Sequence, residues 1–284
     1  MRTWFITGGT PGGFGAAYAE AALENGDNVV LTARRPHLLA DWAKRHANRT
    51  LVVPLDVTDG RRVREAVVAA AAEERFGGID VVVNNADRGW YGSVEGMADA
   101  DVRRSFELNF FAVVEVLRAV LPGMRARRGG WVVNTSSVAG LRGVPGFGYY
   151  SAAKFAVEGL TETLRHELAP FDIRLLAVEP GAFGTRACAG FADEPVTETV
   201  DAHLPLVESV RAAMVEQDGR QPGDPRRGAR AVLAAMAQDP PPRRLVLGAA
   251  GYEAVADQLT SMLAELYAQK SASRGADLPP EERG

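Results

Sequence analysis

Cysteine is nearly absent: the 284 residues contain one, Cys188. That excludes a disulfide framework within the chain and suits a reducing compartment. With no histidine beside it in sequence, Cys188 reads as a packing residue rather than a nucleophile. The few histidines (His37, His46, His166 and His203) are scattered without metal-ligand spacing, so no metal is expected. No apolar run reaches the roughly 18 residues of a membrane span, so no membrane partner is expected. The net charge of −4, with both signs interspersed, offers no polyanion-binding surface, and nucleic acid is not an expected partner. The short arginine-rich stretches at 125–128 and 225–227 read as solvated ends of elements. The opening MRTWFITGG enters a strand at once and leaves no room for a signal peptide, so a cytoplasmic location is expected.

What is present is 46% hydrophobic residues, enough for one sizeable core. Short apolar runs at 3–7, 28–32, 50–55, 79–83, 131–134, 173–178 and, more weakly, 245–247 read as strands. Helical patterns fall at 16–25, 38–46, 61–75, 101–124, 150–167, 227–238 and 252–268. Several strands are unbroken apolar runs (VVL, VVV, LLAV), as expected of strands covered on both faces. The alternation predicts an α/β fold: a single Rossmann-type, doubly wound parallel sheet of about seven strands with helices on both faces. One domain is expected over 1–270. The turn-rich 219–226 is a connection, and 271–284, with Pro279-Pro280 and Glu281-Glu282, is expected to be a disordered tail.

The first strand ends in a glycine loop, Thr7-Gly-Gly-Thr-Pro-Gly-Gly-Phe-Gly15, and a helix follows. Bare N–H groups and the helix dipole there suit a phosphate, which glycine lets approach closely. A carboxylate about 20 residues after such glycines would hold a ribose 2′-hydroxyl, whereas arginine suits a 2′-phosphate. Here strand two ends in Thr32-Ala-Arg-Arg35. NADP(H) is therefore expected over NAD(H), with Arg34 the favoured contact and Arg35 second.

Tyr150 and Lys154 stand four apart on one helix and share a face. A nearby ammonium favours the phenolate, so Lys154 is expected to lower the Tyr150 pKa and make the pair a proton donor and acceptor. Tyr149 has Ala153 at the matching position and is the weaker candidate. Strand five runs into Asn134-Thr-Ser-Ser137, where a serine can hydrogen-bond a substrate oxygen; a turn or cap role is expected for Ser136.

Taken together these motifs resemble the short-chain dehydrogenase/reductase family, in its branch of about 250 residues. The resemblance runs from Thr3 to about Thr185. Gly8, Thr10, Gly13, Phe14 and Gly15 match its phosphate loop. Asp56-Val57 match the pair that meets adenine, and Asn85-Ala86 the motif after strand four. Asn109 falls at its helix-four asparagine, where a helix distortion supports a water-linked proton relay. Ser137 precedes Tyr150 by the family's interval, and Pro180-Gly181 with Thr185 match the segment that contacts the nicotinamide. The resemblance implies Tyr150 as general acid/base, Lys154 lowering its pKa and holding the nicotinamide ribose, Ser137 orienting the substrate oxygen and Asn109 supporting the relay. It also implies a homodimer or homotetramer packed through the long helices after strands four and five.

Two departures stand out. The glycine loop is one residue longer than the family pattern. Asp87 replaces the glycine of Asn-Asn-Ala-Gly; ordinary tolerance of a glycine-like backbone is the expected reading, since Asp accepts it better than most residues. The second reading is a carboxylate that shifts the local field or contacts substrate. Residues 186–226 are expected to form a substrate lid, with Phe191, Leu204, Leu206, Val207 and Met214 offering either an ordinary apolar face or a pocket for a medium-sized, largely apolar carbonyl or alcohol. Trp90 and Tyr91 either line that pocket or pack the loop. The leading function is interconversion of a ketone or aldehyde and an alcohol by hydride transfer. Non-redox chemistry on the same fold and a non-catalytic NADP(H) sensor are the alternatives.

Overall fold

The computed structural model describes residues 1–185, 191–193 and 196–278. Cys188 lies outside the described residues, as does the Pro279–Glu282 part of the tail.

Among the described residues seven strands form one parallel sheet: β1 (Thr3–Ile6), β2 (Asn28–Ala33), β3 (Thr50–Pro54), β4 (Val81–Asn84), β5 (Gly130–Thr135), β6 (Ile173–Pro180) and β7 (Arg244–Leu247). Their spatial order is β3-β2-β1-β4-β5-β6-β7, a Rossmann-type arrangement that reverses between β1 and β4. β1, β2 and β4 are buried along their whole length, which is why their sequences are apolar without alternation. Successive residues still face opposite layers: Trp4 and Ile6 pack on one side and Phe5 on the other.

On the first side lie α1 (Phe14–Glu24) and α8 (Pro225–Met236), through Tyr18, Ala22 and Val232. On the second lie α3 (Gly60–Ala72), α5 (Ala112–Arg127) and α6 (Gly148–Leu168), through Val63, Val116 and Val157. The remaining helices are α2 (Ala40–Arg45), α4 (Asp99–Phe106), α7 (Leu204–Gln217), α9 (Ala249–Ala268) and α10 (Lys270–Arg274). Asp59 and Asp224 cap α3 and α8 by accepting the N–H groups of Arg62 and Arg226, each supplying a partner that the helix start lacks. Among the described residues no helix is long and apolar enough to cross a membrane.

The structure departs from the sequence pattern at several elements. The expected helix over 101–124 is two helices, α4 and α5, joined by a wide π-turn at Glu107–Phe111. Apolar periodicity carries through such an insertion, so the pattern reads as continuous. The pattern at 38–46 divides into a 3₁₀ turn (Pro36–Leu39) and α2. The chain does not turn irregular at Ser271, because α10 carries helix to Arg274.

Candidate active site

The loops that leave β1, β2, β4, β5 and β6 at their carboxyl ends converge beside the reversal in strand order, where open α/β sheets hold their ligands. They enclose a cavity of about 610 Å³.

The glycine loop forms one wall. Gly9 N–H donates to the Thr32 carbonyl and Gly13 N–H to the Thr10 carbonyl, so the longer loop is closed by its own backbone. Gly8 has φ +78°, and a Cβ there would lie 2.8 Å from Ala86 Cα. A Cβ on Gly15 would collide with the Gly8 carbonyl oxygen. Gly12 takes φ +80° in open space, so the extra residue is absorbed where only backbone freedom is needed. α1 then starts from Gly13, whose side cannot cap it, leaving the first-turn N–H groups directed at the cavity end. This cradle fits a dinucleotide pyrophosphate.

Asn85 locks the cradle to β4. Its Nδ2 donates to the Thr7 carbonyl at 2.9 Å, and the Asn85 and Ala86 N–H groups donate to Thr7 Oγ1 at 2.9 and 3.0 Å. Asn85 and Ala86 line the cavity, but the Asn85 amide is spent on holding the loop. Arg34 and Arg35 line the cavity's far end, are exposed, and form no ion pair among the described residues. Asp56 and Val57 line the same end; Asp56 Oδ1 accepts from Thr58. Gly8, Thr10, Gly13, Phe14, Pro180, Gly181 and Thr185 also face the cavity.

The reactive end is built from β4, β5 and α6. Ser137 and Tyr150 line the cavity. Lys154 lies behind them, 2% exposed, donating to the Thr135 carbonyl at 3.0 Å. Asn109 is buried in the π-turn, and its amide grips the backbone of Arg88. The helix distortion expected at Asn109 is thus present.

Three expectations are corrected here. Ser137, not Ser136, is the capping serine: Ser137 Oγ accepts the Ala139 N–H at 3.1 Å, while Ser136 Oγ is buried without a partner. The cap takes one lone pair of the oxygen, so the Ser137 hydroxyl proton is directed to the Tyr150 side of the site. Asp87 does not occupy a glycine-like backbone; among the described non-glycine residues only Arg128 and Asp172 have positive φ. Its carboxylate enters the site instead: Oδ2 lies 2.9 Å from Lys154 Nζ and accepts from Tyr150 Oη at 3.4 Å. Finally, the Tyr150 pKa is raised well above the ordinary value rather than lowered. Burial and the Asp87 charge act in that direction, and the Ser137 hydrogen bond opposes them.

The sequence reading missed Arg88, Phe183 and Gln221, which also line the cavity. Both amide atoms of Gln221 are buried without a hydrogen-bond partner among the described residues. A turn-rich stretch gives no signal that one of its side chains points into a site. From the lid region, Met214 and Gln217 on α7 reach the cavity. Trp90 and Tyr91 do not: Arg88 lies over the Trp90 ring, and Tyr91 packs edge-on against Phe191 at 5.2 Å.

A parallel doubly wound sheet, a glycine cradle and a Ser–Tyr–Lys cluster at its reversal point define a dinucleotide-binding oxidoreductase. The chain belongs to the short chain dehydrogenase family, whose pattern matches residues 2–195. It is 35% identical over 243 residues to a 3-ketodihydrosphingosine reductase of Bacteroides thetaiotaomicron, covering 84% of this chain and 86% of the relative. A short-chain dehydrogenase structure from Streptomyces avermitilis superposes with a TM-score of 0.87 at 38% identity, covering 98% of this chain and 99% of that one. Another from Burkholderia cenocepacia J2315, solved with NADP, gives a TM-score of 0.69 at 25% identity over 99% of this chain and all (100%) of that one. As a member of this family the chain is an oxidoreductase that uses a nicotinamide cofactor.

Proposed function

We propose that this oxidoreductase interconverts a ketone or aldehyde and an alcohol, prefers NADP(H), and uses Tyr150 as its proton donor and acceptor. The observation that carries the reading is one continuous cavity, with the glycine cradle and Arg34 at one end and Ser137 and Tyr150 at the other. The bound nicotinamide supplies or accepts the hydride. Ser137 turns its hydroxyl proton from Tyr150 to the substrate oxygen and fixes its position. In reduction the Tyr150 hydroxyl gives that oxygen a proton; in oxidation the deprotonated Tyr150 takes it back. Lys154, anchored on Thr135, holds a positive charge beside Tyr150 and the ribose position. Asn109 keeps the Arg88 loop in place and supports proton resupply through its helix distortion. Arg34, with Arg35 beside it, supports a 2′-phosphate by presenting an unopposed guanidinium to the cofactor end.

Leu108, Phe183 and Met214 add apolar side chains to the cavity lining, which supports a medium-sized, largely apolar carbonyl compound. The named activity of the Bacteroides relative, a ketone reductase, is consistent with that class. Phe111 and Phe155, 48% and 44% exposed, support packing of the π-turn and α6 against a second copy as a homodimer or homotetramer. The near-absence of cysteine supports a cytoplasmic setting.

The test is a panel of ketones and aldehydes assayed with NADPH and with NADH. The reading expects turnover of apolar carbonyls and a clear NADPH preference. Equal or better use of NADH would remove the assignment of Arg34, and tight NADPH binding without turnover on any carbonyl would favour a sensor.

A further inference from the structure

Asp87 stands where the family pattern has no side chain, and it reaches the two residues on which the proposed chemistry depends. One oxygen, Oδ2, lies 2.9 Å from Lys154 Nζ and 3.4 Å from Tyr150 Oη. The Lys154 ammonium sits 5.6 Å from the centre of the Tyr150 ring. Lys154 is almost wholly buried, whereas the Asp87 side chain is one-third exposed on the cavity side.

Resting on the reading of Tyr150 as acid/base, we propose that Asp87 is a positioning residue that engages the Lys154 ammonium and keeps Tyr150 in its proton-donating form, so that carbonyl reduction stays active to higher pH and alcohol oxidation sets in only at higher pH.

The electrostatics follow from the geometry. An isolated ammonium beside Tyr150 favours the phenolate. Paired with Asp87, the ammonium presents a near-neutral couple, and the carboxylate accepts a hydrogen bond that only the protonated phenol can donate. Both effects favour the phenol, and the raised pKa of Tyr150 agrees with them. Among the described residues, the ionisable groups at this cluster are Tyr18 from α1 and Tyr150 and Lys154 from α6, with Arg88, next to Asp87, lining the same cavity and lying over the Trp90 ring. β5 and its exit contribute the neutral Thr135 and Ser137. Tyr18 also feels the Asp87 charge and, being buried, is held protonated, so it adds no negative charge. Reduction consumes a proton from the phenol and oxidation needs the phenolate, so holding the phenol extends the pH range of reduction upward and shifts the rise of oxidation to higher pH.

The experiment isolates Tyr150 as the difference between the tyrosinate absorbance titrations of the parent chain and Tyr150→Phe. It is then repeated with Asp87→Asn and Asp87→Gly in place of Asp87. The expected result is a midpoint for Tyr150 lowered by about one unit or more in both variants, as removal of one adjacent charge should give. The pH profile of kcat/KM for alcohol oxidation should move to lower pH by the same amount. Using two variants guards against one that fails to fold, since either gives the shift. A midpoint that stays put or rises would overturn the role of Asp87. Carbonyl reduction undiminished in Tyr150→Phe would instead overturn the acid/base reading, and the absorbance titration would still report whether Asp87 governs Tyr150.

Discussion

The side-chain amide of Asn109 clasps both backbone groups of Arg88: its Oδ1 accepts the Arg88 N–H at 3.1 Å and its Nδ2 donates to the Arg88 carbonyl at 2.9 Å. Asn109 sits in the π-turn between α4 and α5, and Arg88 follows directly on Asp87. The clasp therefore sets where the Asp87 carboxylate falls. Asn109→Ala should cost about 1–3 kcal/mol, because two part-buried backbone groups of Arg88 lose their partner. Thermal unfolding reads the stability loss. Carbonyl reduction should fall further than the stability change explains, and an unaltered Tm would contradict the clasp.

The cofactor end offers a sharper test. A charge-assisted hydrogen bond contributes about 1.5–3 kcal/mol, so Arg34→Ala should weaken NADPH binding roughly ten- to hundredfold. NADH binding should be nearly unchanged, since it lacks the 2′-phosphate. Arg35→Ala should have the smaller effect. Fluorescence titration of each variant with both cofactors measures this, and equal losses for the two would remove the 2′-phosphate assignment.

Gly15→Ala tests the cradle. Alanine favours a helix over glycine by up to about 1 kcal/mol, which alone would stabilise α1. The added methyl meets the Gly8 carbonyl, which is backbone and cannot step aside. Overpacking of that kind costs about 1–3 kcal/mol, so the clash is expected to win. The expected outcome is a lower Tm with cofactor binding lost to a greater extent than at an exposed helix site. A rise in Tm would show that the loop gives way.

A buried carboxylate away from the cavity, Glu179, shapes stability rather than chemistry. Glu179 on β6 is fully buried, accepts the Leu245 N–H at 3.0 Å and faces Glu158, with Arg244 3.9 Å away. Burial, then the Glu158 charge, pushes its pKa up to about 9 from an ordinary 4.5. The folded state therefore binds a proton that the unfolded chain releases. That contribution to stability is complete below pH 4.5 and is lost as pH climbs toward 9. Glu179→Gln keeps an acceptor for Leu245 but cannot ionise, so its Tm should fall less between neutral pH and pH 9 than that of the parent. Parallel slopes in the two chains would contradict a proton held at Glu179.

The parallel doubly wound sheet, the glycine cradle and the cavity positions of Ser137 and Tyr150 were legible in the sequence because each rests on local pattern. Unbroken runs such as Val81–Asn84 can only be strands covered on both faces, and glycines such as Gly8 and Gly15 mark close backbone approach. What was not legible depends on contacts far apart in the chain. Asp87 and Lys154 meet across loops, so no spacing rule links them, and the same is true of Asn109 and Arg88. The π-turn left no mark in the apolar pattern, because one inserted residue hardly disturbs such a stripe; only the family resemblance at Asn109 pointed to a helix distortion there. The division of labour between Ser136 and Ser137 turns on which hydroxyl faces Ala139, and adjacent serines carry no pattern that decides it. Gln221 was missed because a polar side chain in a turn reads as solvated until the fold buries its amide.

The central claim is that Tyr150 moves the proton in a nicotinamide-dependent carbonyl reduction. The most direct measurement compares single-turnover reduction of an apolar ketone by the NADPH-loaded parent chain and by Tyr150→Phe, with NADPH affinity measured in both. The account predicts intact NADPH binding and a rate at least about a hundredfold lower in the variant, the scale of general acid catalysis. Intact binding with an undiminished rate would contradict it.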